Sequence, residues 1–366
     1  MEKVYNRYAS KCINYNEKRD INIDICRGIG ILLVILGHQF QNWDLTYLMQ
    51  FIYSFHMPLL FIISGIFLKK EGKFSDFAKN KAKRLLIPYI FCVSVMTVLE
   101  PVRELLRGGN WLKCFLKDLY ISLYGSGSGY GSFITFRDFR IGTSDDIGML
   151  WFLPALFSAC MIVRLCLTMK IKKCTILILL ISLIGCFSSH FVWLPFSIQN
   201  GMACSGWVYL GYLVGHYHIL DNISKFYRRW YFFAVGMIVW FISIVWGCTK
   251  LYENYYRLGI VEVAGAIFAS GVIYLLAEKI KNKTLYLSAL LCWVGKNTMA
   301  FYALHFLENR LFPISNLLKK LNFLSNIVIS AVLCWIVVAI LCVVGTTVMG
   351  KIPLLKKIFC IQMSEK

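Results

Sequence analysis

DICRGIGILLVILGHQF, residues 24–40, reads as one membrane helix except at Arg27 and His38. Ionisable side chains inside an apolar span are expensive and mark function by default. The two positions are eleven residues apart. At about 100° per residue that is close to three whole turns, so both side chains project from one helix face, ~16 Å apart along the axis. One helix therefore carries a cation near one membrane surface and an imidazole near the other.

The rest of the chain has the same character. Its 366 residues are 58% hydrophobic, with mean hydropathy +0.63, and several apolar runs reach bilayer-spanning length. The expected fold is all-α, a polytopic integral membrane protein with about ten spans: 21–40, 47–67, 85–99, 149–169, 174–191, 198–217, 230–248, 258–276, 287–306 and 326–349. The third is short as drawn, and the ninth has an alternative frame from Asn297 to about Leu318. Counting Lys and Arg orients the spans. The N-terminal tail 1–20, the loops 69–84, 170–173, 225–229 and 279–283, and the C-terminal tail 351–366 hold 25, against 11 on the other side. That asymmetry puts both termini in the cytoplasm. The membrane domain then runs over 21–350, and its largest outer piece is the loop 100–148, which contains GSGSGYGS (125–132), a flexible composition. Residues 1–20 are polar and no small-residue cleavage site follows the first apolar run, so the first span is expected to stay in the mature protein.

The net charge of +20 sits in short loops between apolar runs. There is no basic stripe with an aromatic platform, so nucleic acid is not an expected partner. The 14 cysteines show no C-x-x-C and no Cys/His ligand spacing, so neither a disulfide nor a metal site is expected.

Several residues add chemistry around the first helix. Asp24 and Arg27 are spaced to pair as i, i+3. Arg27 can hold a phosphate or carboxylate in bidentate geometry. His38 can move a proton near neutral pH or act as a nucleophile. The plain alternative is an arginine snorkelling to one surface and a histidine hydrogen-bonded at the other. In YSFHMPLLFIISG (53–65), His56 falls near mid-membrane and Pro58 is expected to kink the helix, which is tolerable where it lines a cavity. KNKAKRLLIPY (79–89) carries Lys79, Lys81, Lys83 and Arg84, a basic patch suited either to anionic lipid or to a phosphorylated cofactor. Glu262 in the eighth span, and Lys296, Asn297 and His305 in or beside the ninth, are candidates for the same cavity. His190, His216 and His218 read as interfacial. There is no glycine-rich phosphate loop, no zinc-protease helix and no G-x-S-x-G elbow.

These segments together resemble the membrane-bound acyltransferase type 3 family of bacteria. The matching stretches are DICRGIGILLVILGHQF, FHMPLLFIISGIF, the basic stretch ending KRLLIPY, LWFLPALF (150–157) and VGKNTMAFYALH (294–305), in the family's order and over nearly the whole chain. LWFLPALF looks more like the branch that acetylates sugars and surface polysaccharides. The resemblance implies a family signature of Arg, ten residues, His at Arg27 and His38, with the histidine needed for acyl transfer and the arginine on the acyl-CoA side. Lys81 and Lys83 precede Arg84 where many relatives carry a second arginine, so the family's acyl-CoA-binding role passes to Lys81, Lys83 and Arg84 more loosely. Some relatives append an extracytoplasmic esterase-like domain. Without one, the chemistry is expected from membrane-embedded residues or a partner.

The expected function is an O-acyltransferase of the bacterial inner membrane. Acetyl-CoA is the implied cosubstrate, and a sugar hydroxyl of a surface glycan or its lipid-linked precursor is the acceptor. His38 is the catalytic group, with His56 beside it, and Trp151 offers a sugar-stacking face. The competing expectations are a transporter of a glycan or acyl group, whose intramembrane charges line its path, and a non-catalytic component of glycan assembly.

Overall fold

The computed structural model describes residues 20–127, 132–136, 139–143, 145–321 and 326–363. The N-terminal tail up to residue 19 and positions 128–131 of the glycine–serine stretch lie outside them. The first helix, α1 (Ile21–Asn42), starts where the Asp20 carboxylate accepts the Asn22 N–H at 2.8 Å. That satisfies one of the donors a helix start leaves orphaned. The helix has no charged residue after Arg27, and its glycines allow close packing.

The second expected span breaks in two, α2 (Thr46–Tyr53) and α3 (His56–Ile66). The break falls at Ser54–Phe55, just ahead of Pro58. Proline thereby occupies the first turn of α3, where its missing N–H costs nothing. The third span, drawn short at 85–99, is part of α4 (Phe74–Leu106), 33 residues or about 50 Å of helix. It overshoots a ~30 Å hydrocarbon core, so the basic stretch 79–84 and the Glu100–Leu106 turns belong to its two ends.

The segment 100–148 is more than a connector. It holds the end of α4, then α5 (Trp111–Tyr124), capped by Asn110, and an antiparallel hairpin of β1 (Ser132–Phe136) and β2 (Phe139–Thr143). A 3₁₀ turn over Gly148–Trp151 leads into α6 (Phe152–Cys166), followed by α7 (Ile171–Ser188) and α8 (Ile198–His216). Next come α9 (Ile223–Tyr227), α10 (Trp230–Val245) and the short pair β3 (Thr249–Lys250) and β4 (Tyr255–Tyr256). The chain finishes with α11 (Ile260–Lys283), α12 (Leu285–Lys296), α13 (Thr298–Leu311), α14 (Ile314–Leu321), α15 (Ile327–Lys351) and α16 (Pro353–Ile358).

The protein is thus an all-α polytopic membrane protein with two short hairpins. Among the described residues, seven stretches are individually long and apolar enough to cross a bilayer: 21–42, 46–66, 74–106, 148–166, 171–188, 260–283 and 327–351. Each matches an expected span. The other three expected spans look different. Span 198–217 is α8, whose buried face carries Gln199, Asn200 and Ser205. Around span 230–248, the helical stretch 219–227 and α10 meet at 93°. Span 287–306 splits at Asn297 into α12 and α13.

α1 lies at the centre, touching α2, α3, α11, α12, α13 and α15. Glycines set two of the closest approaches. A Cβ at Gly295 would stand 1.8 Å from the Asp24 carbonyl oxygen, locking α12 onto α1. One at Gly211 would stand 2.0 Å from that of Ile62, locking α8 onto α3. Close backbone contact through small residues is how helices associate where lipid removes the hydrophobic drive.

Candidate active site

His38 lies one turn before the end of α1, partly accessible within a packed bundle. His305, fully buried, comes toward it from α13, with ring centroids 5.5 Å apart. Spacing on α13 brings in a third group. Glu308 is one turn on from His305, and its Oε2 lies 3.3 Å from His305 Nδ1. An ionised carboxylate only accepts, so Nδ1 donates in this pair and Nε2 is the nitrogen left facing away from it. Among the described residues, no group satisfies that buried Nε2. Buried polar atoms in native proteins nearly always have partners, so one without is where a substrate atom or water is expected. The other carboxylate oxygen of Glu308 accepts the Ile314 N–H at 2.9 Å. The chain reversal after α13 therefore holds the carboxylate in place.

Tyr53, at the end of α2, also stands beside His38. Its ring is 6.4 Å from His38 and 4.9 Å from His56. Its hydroxyl donates to Gln41 Oε1 at 3.2 Å. His56 begins α3, and its Nδ1 lies 2.9 Å from the Ile52 carbonyl oxygen. That carbonyl also accepts the Phe55 N–H at 3.3 Å, so one nitrogen of His56 is held at the α2–α3 break while its ring joins the cluster. Three histidines, a tyrosine and a carboxylate thus gather from α1, α2, α3 and α13.

At the other end of α1, Arg27 Nη1 meets Asp24 Oδ1 at 3.2 Å, the expected i, i+3 pair. The guanidinium also stacks over Phe67, 5.0 Å from the ring centroid. The arginine keeps a quarter of its side chain exposed, whereas Asp24 is buried. On α4, Lys81 is half-buried over the Phe77 ring at 5.7 Å, whereas Lys83 and Arg84 are exposed. A buried cation absent from the sequence-derived site, Arg164, donates to the carbonyls of Glu71 and Gly72 at 3.3 and 2.6 Å. It ties the turn before α4 to α6.

Three other expected residues take structural places. Glu262 accepts from Cys248 N–H (2.5 Å), Thr249 Oγ1 (3.2 Å) and Leu258 N–H (3.0 Å), clamping the 248–258 turn. Asn297, fully buried, donates to the carbonyls of Trp293 and Gln362 and accepts the Gln362 N–H at 2.8 Å. It fastens the C-terminal segment at the α12–α13 break. Trp151 is 6% exposed, packed near Phe61 and Phe152 with Gly127 against its ring. Its faces are taken by protein, so it does not offer the stacking surface expected of it.

A second polar cluster lies beyond the histidine end. Arg310 Nε pairs with Glu100 at 2.6 Å, and Arg310 Nη2 is 3.9 Å from Asp118. Burial and the neighbouring Glu100 charge push the Asp118 carboxyl up to about 6 despite Arg310; burial likewise lifts Asp146 to about 6. Glu100, Cys114 and Asp118 bring ligand-type atoms within 4.8 Å of one another, but Arg310 already supplies the positive charge that a metal would bring.

A family model described as an acyltransferase domain matches residues 20–350. The chain belongs to that acyltransferase family. Among curated proteins, it is similar to nodulation protein NolL of Sinorhizobium fredii, 37% identical over 22% of this chain and 25% of the relative. It is also similar to nodulation protein NolL of Mesorhizobium japonicum, 30% identical over 39% of this chain and 41% of that protein. The similarity thus spans less than half the length of either relative. No solved structure matches the chain.

Proposed function

We propose that this acyltransferase moves an acetyl or other short acyl group from cytoplasmic acyl-CoA to a sugar hydroxyl of a surface glycan or its lipid-linked precursor, in a bacterial inner membrane. The observation that carries the reading is the His38–His305–Glu308 cluster at one end of α1, with Arg27 about three turns away at the other. The positive-inside count gives the Arg27 end to the cytoplasm and the His38 end to the outside.

In this reading Arg27, with Lys81, Lys83 and Arg84 on α4, holds the anionic CoA moiety from inside. The ~16 Å between Arg27 and His38 by helical rise matches an extended pantetheine arm threading inward. His38 takes the proton of the sugar hydroxyl as that oxygen attacks the thioester carbonyl. The carbon–sulfur bond breaks, and the departing thiolate recovers the proton. The same imidazole suits the two-step route, in which His38 first carries the acyl group and then passes it to the sugar oxygen. In the two-step route, where His38 carries the acyl group, His305 Nε2 takes the sugar-hydroxyl proton and passes it to the thiolate. His56 and Tyr53 shape the cavity wall, and Asp24 orients Arg27.

The test is the mass of the surface glycan from cells with and without the protein. The reading expects one added acyl group per repeat only when the protein is present. An unchanged mass across every surface glycan would contradict it.

A further inference from the structure

We propose that the cleft between the end of α4 and the 310–319 segment binds an anionic group, a phosphate or carboxylate, carried by the acceptor. The cleft has a volume of about 780 Å³, within the range of small-molecule sites. Arg103, Arg107, Arg310 and Lys319 line it, together with apolar and amide residues, and no acidic side chain does among the described residues. Arg310 is balanced by Glu100 and Asp118 behind it. Arg103 is fixed by donating to the carbonyls of Arg310 and Leu311 at 3.3 and 2.8 Å. Arg107 and Lys319 are exposed, and Arg107 has no ion-pair partner among the described residues. Arg103, Arg107 and Lys319 thus line the cleft with no carboxylate among the described lining residues. Arginine forks and a lysine point charge are the donors that recognise oxyanions.

Two contacts join this cleft to the histidine cluster. Glu308, the partner of His305, holds the N–H of Ile314, a cleft residue. Lys319 donates to the carbonyl of Asn42, the last residue of the helix that carries His38, at 2.5 Å, and sits 5.1 Å from the Trp43 ring centroid. An acceptor anchored here by its anion is therefore held by the same backbone that positions the transfer residues. That the anion belongs to an acceptor glycan rests on the transferase reading above. That the cleft prefers anions does not.

The experiment uses the full chain in neutral-lipid nanodiscs and two fluorescent probes, a phosphorylated maltotriose and its uncharged parent. The wild-type protein is expected to bind the phosphorylated probe about tenfold more tightly, the scale of one charge-assisted hydrogen bond, and salt should erode the preference. Arg107→Ala should narrow the preference, and Arg107→Ala with Lys319→Ala should narrow it further. The charge-reversed pair, Arg107→Glu with Lys319→Glu, should favour the uncharged probe. Monodisperse elution checks that each variant is folded. Equal binding of both probes by the wild type, or an alanine pair that keeps the preference, would overturn the proposal. Displacement of the phosphorylated probe by phosphatidylglycerol added to the disc would assign the cleft to a lipid headgroup and overturn the acceptor assignment. No acyl transfer is read, so failure here leaves the transferase reading standing, and failure of transfer leaves this binding result standing.

Discussion

Glu308 serves the site twice, with one oxygen on His305 and the other on the backbone of Ile314. Replacing it by glutamine leaves a hydrogen-bonding group of the same shape but removes the charge that fixes the histidine tautomer. Glu308→Gln is expected to lower kcat about tenfold to a hundredfold, within the range for acid–base groups, to shift the pH profile of kcat, and to leave the acyl-CoA KM near wild type. A purely structural role would lower the amount of folded protein and leave the pH profile in place. His305 was visible in the sequence as a buried-span histidine, and Glu308 could have been found from its i, i+3 spacing. The role of Trp151 could not. The sequence shows an aromatic near an interface, but its burial depends on Gly127 lying against the ring, a contact between segments that no local pattern reports.

Helix-to-helix contact explains both what the sequence made plain and what it hid. Continuous apolar runs identified α1, α7, α11 and α15, because length and hydropathy are properties of one segment. The break at Asn297 showed in the sequence only as an alternative frame for the ninth span, two residues after Gly295. The asparagine bonds Gln362, 65 residues away, so the cause is tertiary. Glu262 misled for the related reason that an acid within an apolar run can clamp a turn instead of facing a cavity. The glycine contacts can be tested directly. Gly211→Val puts branched carbon where the Ile62 carbonyl oxygen stands. Overpacking of this kind costs about 1–3 kcal/mol or more. Thermal unfolding in detergent should shift to lower temperature, and wild-type stability would remove the α3–α8 contact from the account.

Across the whole molecule, charge is sorted to the two ends of the bundle. The cluster of Glu100, Asp118, Asp146 and Arg310 joins α4, α5, α13 and the turn before α6. Asp118 and Asp146 have carboxyls lifted from 3.8 to about 6 by burial, so the folded protein holds those protons more tightly than the unfolded chain. Stability from these groups is therefore present at low pH and is lost as pH rises through about 6. The melting temperature of the wild type should fall between about pH 4 and pH 6, the interval between the unfolded and folded values, and Asp118→Asn should flatten the fall. A variant with an unchanged slope would show that Asp118 does not titrate in this window. The expected orientation rests on lysine and arginine counts, which are additive along the chain, whereas the acceptor depends on surfaces assembled from distant segments. The central claim is transfer through His38, and it is tested most directly with membranes given radiolabelled acetyl-CoA on the cytoplasmic side. Wild-type membranes should leave label covalently on glycan, and His38→Ala membranes with the same amount of inserted protein should leave none. Labelling by His38→Ala at the wild-type rate, or label that crosses the membrane without covalent attachment, would contradict it.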